Sequence, residues 1–214
     1  MEPAVLPIID SHCHAWARWP YRPPVPDPEQ RGRVEQLLHE MSLHGVAQAV
    51  LVSAQIEHNP ANNAYVAGAV ARYPDRLHQL ADLDSVWSEL HHAPGAAERL
   101  RRLAGQWPLK GFTHYLSRDE DGSWLYSEEG CRLFRAAAEL KLIASLSCYP
   151  HQHSAIRRVA ERFPEVPILC HHLSHVRADE PPPYDELREV LASARATNIH
   201  IKLSGFAYAA PVKW

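Results

Sequence analysis

Short apolar stretches of strand length alternate along this chain with stretches that repeat apolar residues at helical spacing. Seven strand-like segments are readable, near 7–14, 47–54, 76–84, 109–116, 142–149, 167–175 and 199–205. Between them, 29–44 repeats Val34, Leu37, Leu38 and Met41 on one helical face and stops at Gly45, which can take a left-handed C-terminal position. The segments 62–73, 88–104, 128–140, 154–163 and 184–196 read as helices too, some stopped by a proline such as Pro74 or Pro164. Strands this apolar, separated by crossover helices, predict an α/β chain with parallel strands covered on both faces.

A chain of 214 residues with 46% hydrophobic residues can bury a full core, and residues 1–214 are expected to form a single domain. The net charge of -3, without a long run of one sign, gives no electrostatic reason to expect nucleic acid or an anionic membrane. No apolar run approaches the roughly 20 residues of a membrane helix, and residues 1–7 lack the charged and apolar regions of a signal peptide. The expectation is a soluble, cytoplasmic protein with a small-molecule partner. Cys13, Cys131, Cys148 and Cys170 form no Cys-x-x-Cys pair, so no disulfide framework is expected.

Fifteen histidines make histidine placement the most informative feature. In Asp10-Ser11-His12-Cys13-His14, the two-residue period of a strand puts Asp10, His12 and His14 on one face. Two neutral imidazoles side by side on a rigid strand suit a divalent metal, so His12 and His14 are candidate ligands and candidate catalytic groups. At Cys170-His171-His172 the alternation turns the two histidines to opposite faces, and a neutral His172 could ligate a metal or polarise a carbonyl. His114 and Tyr115, at the end of the fourth strand, are candidate substrate contacts. The segments 16–28, with five prolines and two tryptophans, and 175–183 are long loops after strands, where a parallel barrel builds its functional rim.

Ile8-Ile9-Asp10-Ser11-His12-Cys13-His14 resembles the first strand of the amidohydrolase superfamily, in particular its amidohydrolase-related branch. Arg72-Tyr73-Pro74-Asp75-Arg76-Leu77, Leu109-Lys110-Gly111-Phe112 and Lys202-Leu203-Ser204-Gly205 resemble that branch in the expected order, so the similarity spans the chain. The resemblance implies a (β/α)8 TIM-barrel type fold with its site at the C-terminal strand ends, and lactonase-like or amide hydrolysis, or decarboxylation of small carboxylic acids. It also places His172 beside the reacting group. Metal-binding members usually offer a further histidine on the fifth strand. Segment 142–149 has none, and His151 and His153 lie just beyond it. The cofactor is therefore either a divalent metal, zinc or similar, held by His12 and His14, or none, as in metal-free lactonases. Where many relatives have an arginine for a substrate carboxylate, this chain has Thr113.

An eight-stranded barrel takes about 250 residues, so a chain with seven readable strands is expected to be truncated, its eighth strand missing together with the aspartate the superfamily carries there. The first and seventh strands would then expose edges, which a homo-oligomer could cover. Two other readings stand beside the hydrolase. One is a catalytically inactive barrel or fragment kept for binding. The other is a TatD-type metal-dependent nuclease, disfavoured because 110–114 contains no glutamate and the chain has no basic run for phosphates.

Overall fold

The computed structural model describes residues 6–22 and 25–209; residues 23–24 of the proline-rich loop and the end of the C-terminal tail lie outside them. The chain forms two compact units, residues 1–82 and 83–214.

The first unit runs β1 (Ile8–Cys13), α1 (Val34–Leu43), β2 (Val46–Val52), α2 (Asn62–Arg72) and β3 (Leu77–Asp82). Its strands are parallel, with Asp10 opposite Ala49, Cys13 opposite Leu51 and Val52 opposite Leu80. Ala49 and Leu51 are buried with Val34, Met41 and Val66 of the helices, which is the crossover packing expected of this pattern. Helix α1 begins at Val34 and not at residue 29, because Gly32, at φ +75°, turns the chain and its carbonyl accepts from Trp16 N at 2.8 Å. It ends as expected, with Gly45 left-handed at φ +68°.

Side-chain amides at the start of α2 hold the strand ends of this unit. Asn62 Nδ2 donates to Ala15 O and its Oδ1 accepts from Ala54 N, both at 2.9 Å, so one buried amide joins the chain leaving β1 to the chain leaving β2. Asn63 bonds both backbone groups of Asp82, at 2.7 and 2.8 Å.

The second unit runs α3 (Ala96–Gln106), β4 (Gly111–Tyr115), α4 (Glu128–Glu139), β5 (Ile143–Ser147), α5 (His153–Arg162), β6 (Ile168–Cys170), α6 (Asp185–Ala192), β7 (Ile199–Ile201) and α7 (Phe206–Ala209). Strands β4 to β7 pair in parallel and in order, Gly111 with Ile143, Ala144 with Ile168 and Ile168 with Ile199. Phe112, Ala144, Leu146, Ile168 and Cys170 share a core with Phe134 of α4 and Ile156 of α5. The alternate positions Thr113, Ser145 and Ser147 are small, polar and equally buried. The helix-facing side of this sheet is thus a hydrophobic core, and the opposite side is a polar interior. Ser127 caps α4, its Oγ accepting from Gly130 N at 3.2 Å, and Glu128 and Glu129 occupy the positive first turn.

Several elements are shorter than the sequence pattern suggests, among them the strand read at 199–205, which spans only Ile199–Ile201. The helix read at 88–104 starts only at Ala96, because Pro94 and Gly95 redirect the chain first, Gly95 at φ +89°; residues before it form turns that carry His91 and His92. The strand read at 167–175 stops at Cys170, because His172, Leu173, Ser174 and His175 all take left-handed backbone, φ +47° to +58°. Among the described residues, no helix is long and apolar enough to cross a membrane. Seven strands, parallel wherever they pair within a unit and alternating with helices, make this an α/β fold of the TIM-barrel type.

Replacing Asn62 by alanine leaves the Ala54 N–H and the Ala15 carbonyl buried without their partner. Urea unfolding should show a loss of about 2–4 kcal/mol, the cost of orphaning two buried backbone groups; a loss below about 0.5 kcal/mol would mean that the amide does not hold these strand ends.

Candidate active site

At the end of β1 the chain turns its polar groups to one side. Asp10 Oδ1 accepts from His12 N at 2.9 Å, and the Nε2 atoms of His12 and His14 approach to 3.4 Å. His14 Nδ1 lies 2.7 Å from Val52 O; since a carbonyl can only accept, Nδ1 carries the hydrogen and Nε2 presents its lone pair toward His12. A carbonyl accepting from the far ring nitrogen in this way fixes the orientation of a metal-binding imidazole. Two nitrogens bound to one tetrahedral zinc at 2.0–2.1 Å would be about 3.3 Å apart, so the observed spacing fits a shared ion. His14 also stacks on buried Trp16 and borders a cavity of about 300 Å³ lined by Trp19, Arg31, Arg33 and Gln36.

In the second unit the polar interior converges on His171. Its Nε2 lies 2.7 Å from Ser145 Oγ, which accepts from the Nζ of buried Lys202 at 2.9 Å, and Tyr115 packs edge-on against the ring at 5.1 Å. Sequence alternation turned His171 away from the functional side. The sheet places it with Ser145 and Lys202, because Ile168 and Cys170 take the core side and leave the next odd position to the interior. His172 follows at φ +47°, which breaks the alternation and brings its ring to 5.7 Å from that of His171. His172 Nδ1 is 3.0 Å from Ser204 Oγ.

Gly205 makes that position available. At φ +66°, a Cβ built on Gly205 would lie 2.6 Å from Cβ, Cγ and Nδ1 of His172, so only glycine lets the chain after β7 pass this ring. The residues of Lys202-Leu203-Ser204-Gly205 thus act as supports, Lys202 for Ser145 and Ser204 and Gly205 for His172.

The other histidines sort by environment. His153 is buried on α5 with one ring nitrogen 2.8 Å from Ser193 Oγ and the other 2.8 Å from Ser174 Oγ, while His151 is exposed, its Nε2 3.0 Å from Glu120 O. His114 is buried among His91, His92 and Trp124, its Nδ1 2.8 Å from Leu83 O. Burial lowers the pKa of His114 to about 3, partly opposed by that backbone bond, and burial followed by the field of His91 lowers that of His92 to about 4. Both rings are neutral near pH 7.

A Gly205→Ala variant should lose about 1–3 kcal/mol in urea unfolding, the usual cost of overpacking. It should also shift the imidazole nitrogen resonances of His172, because the ring must leave Ser204. Unchanged resonances would show that His172 does not depend on this glycine.

The amidohydrolase family model matches residues 9–214. No curated protein matches the chain in sequence. Several solved structures share its fold. The probable 2-pyrone-4,6-dicarboxylic acid hydrolase of Acinetobacter baumannii, solved with citric acid bound, superposes with a TM-score of 0.71 at 19% identity, over 96% of this chain and 73% of that one. An amidohydrolase of Burkholderia multivorans with bound zinc gives 0.67 at 20% identity, over 96% and 72%. A TIM-barrel protein of Bordetella bronchiseptica gives 0.66 at 16%, over 96% and 78%. With its βα repeat and the paired histidines ending its first strand, the chain belongs to the amidohydrolase family and is, at the level of that family, a hydrolase.

Proposed function

We propose that this protein hydrolyses a small lactone or a related carbonyl substrate by attack of water, with His12, His14 and His172 as its catalytic residues. The observation that carries this reading is the 3.4 Å approach of His12 and His14 at the end of β1, with the His14 tautomer fixed by Val52 O. A divalent ion of the zinc class fits this pair; His12 and His14 would hold it, and it would supply Lewis-acid polarisation and a more acidic water.

His172 can serve either half of the reaction, depending on its proton. With Ser204 as donor, Nε2–H can polarise a carbonyl oxygen; with Ser204 as acceptor, Nε2 can take a proton from water. Lys202 and Ser145 hold His171, whose edge-on contact with Tyr115 makes that tyrosine the better placed of the two substrate-binding candidates. His114 instead stacks among His91, His92 and Trp124.

Strand β5 presents Ser145 and Ser147 where metal-binding relatives would offer a histidine. That favours the less demanding acyl substrates. A lactone loses an alkoxide or enolate within the same molecule, whereas an amide needs its nitrogen protonated to leave.

A panel of small lactones, followed by proton release with and without added zinc, tests this reading. Turnover is expected, with His172→Ala and the double variant His12→Ala/His14→Ala each lowering kcat/KM about 10²–10⁴-fold, the usual range for acid–base groups. If the chain binds lactones but turns none over, the inactive binding barrel replaces the hydrolase. Lys202→Met should lower kcat with little change in KM if it works by positioning His171, whereas a purely structural role would appear as lost stability with unchanged kcat in the folded fraction.

A further inference from the structure

A second group of histidines, none of them used in the hydrolytic reading, lies in the second unit. His91 and His92 sit on the turns before α3, and His114 is on β4. The three present ring nitrogens within 4.8 Å of one another. Their tautomers can be read from the backbone. His91 Nδ1 is 2.9 Å from Asp84 O and His114 Nδ1 is 2.8 Å from Leu83 O. Both carbonyls accept, so both Nδ1 atoms carry hydrogen and both Nε2 atoms expose lone pairs.

Those lone pairs meet further electron density. His114 Nε2 is 3.4 Å from His92 Nε2, and His91 Nε2, buried and without a hydrogen bond, is 3.5 Å from Glu120 Oε1. Glu120 Oε2 is 3.3 Å from His92 Nδ1, and its carboxylate also accepts from Ser117 N. Neutral His92 has one hydrogen to give. On Nδ1 it serves Glu120 and leaves two imidazole lone pairs opposed at 3.4 Å; on Nε2 it serves His114 and sets a lone pair against the carboxylate. Neither choice supplies His91 Nε2. The group lacks a cation.

We propose that His91, His92 and His114 bind a divalent transition-metal ion through their Nε2 atoms, with Glu120 fixing the His92 tautomer and balancing the charge. The 3.4 Å spacing of His92 and His114 matches the edge of about 3.3 Å expected between two nitrogens on tetrahedral zinc. Each ligand has the outer partner that metal-binding histidines use, a carbonyl for His91 and His114 and a carboxylate for His92. The segment carrying His91 and His92 is anchored from both sides. Arg99 bonds Asp84 Oδ2 at 2.7 Å and the carbonyls of Ala93 and Pro94 at 2.9 and 2.7 Å, and Gly95 N donates to Glu129 at 2.9 Å. Trp124 stacks on His92 at 4.4 Å with 7° between planes, which shields one side of the group from water. Such an ion would tie the chain after β3 to β4 and stabilise the second unit by mass action.

The site is tested on the full chain, stripped with chelator, in a His12→Ala/His14→Ala background, so its failure and that of the hydrolytic reading are separable. Zinc is titrated calorimetrically at pH 7.5, and cobalt(II) is followed by its visible absorption. One equivalent should bind, with the intense bands of a tetrahedral cobalt site. His92→Ala, which removes a ligand, should weaken binding more than about 100-fold, and Glu120→Gln about 10-fold, the latter within the 10–100-fold cost of losing a ligand's hydrogen-bond partner; Glu120→Gln, outside the buried core, keeps the test meaningful if His92→Ala misfolds. Micromolar or tighter binding unchanged by both variants would place the ion elsewhere and overturn the proposal. Absence of such binding, with a His92 that titrates near neutrality by nitrogen NMR, would show that a proton fills the group and would overturn it equally.

Discussion

The two-sidedness of a parallel strand governs the second unit. One face of β4, β5 and β6 must bury apolar side chains against helices, so Phe112, Ala144, Leu146, Ile168 and Cys170 are committed to the core. The alternate positions are freed for small or polar groups, Thr113, Ser145 and His171, of which Ser145 joins His171 to Lys202. In the first unit the same division lets Cys13 and Leu51 pack while His12 and His14 meet at the end of β1.

Polar side chains then fix what the strands only approximate. Val52 O sets the tautomer of His14, Asn62 holds the chain just past it, and Ser204 and Gly205 seat His172. Asn62 acts on backbone, while Val52, Ser204 and Gly205 act through a carbonyl, a hydroxyl and an absent Cβ on imidazoles whose protons decide what the rings can do. An amidohydrolase needs its histidines in defined protonation states, and the supports seen here are means of defining them.

Much of this was legible in the sequence, because strand and helix periods are local. All seven strands fall where apolar runs predict them, and Gly45 ends α1 as its position suggests. The pairing of His12 with His14 follows from a two-residue period over three residues. What escaped was set by backbone turns. The left-handed run from His172 to His175 cut β6 short, so alternation could not be carried through to His172, and His171 took the interior place. The cluster of His91, His92 and His114 was unreadable for a related reason. Residues 88–95 looked helical, while Pro94 and Gly95 leave them as turns, and nothing local reports that a residue on β4 will meet them. The adjacent His91-His92 pair was the available signal, and it gains meaning only when tertiary contacts supply His114 and Glu120.

In the proposed function, His12 and His14 at the end of β1 and His172 just past β6 serve hydrolysis of a carbonyl substrate. A crystal structure of the protein soaked with the hydroxy-carboxylate product of a small lactone tests it most directly. A carboxylate oxygen is expected within about 3.2 Å of the His172 imidazole, ordinary hydrogen-bond reach, with the Ser204 contact intact. A product bound away from His172, with that imidazole and the His12 and His14 pair untouched, would contradict it.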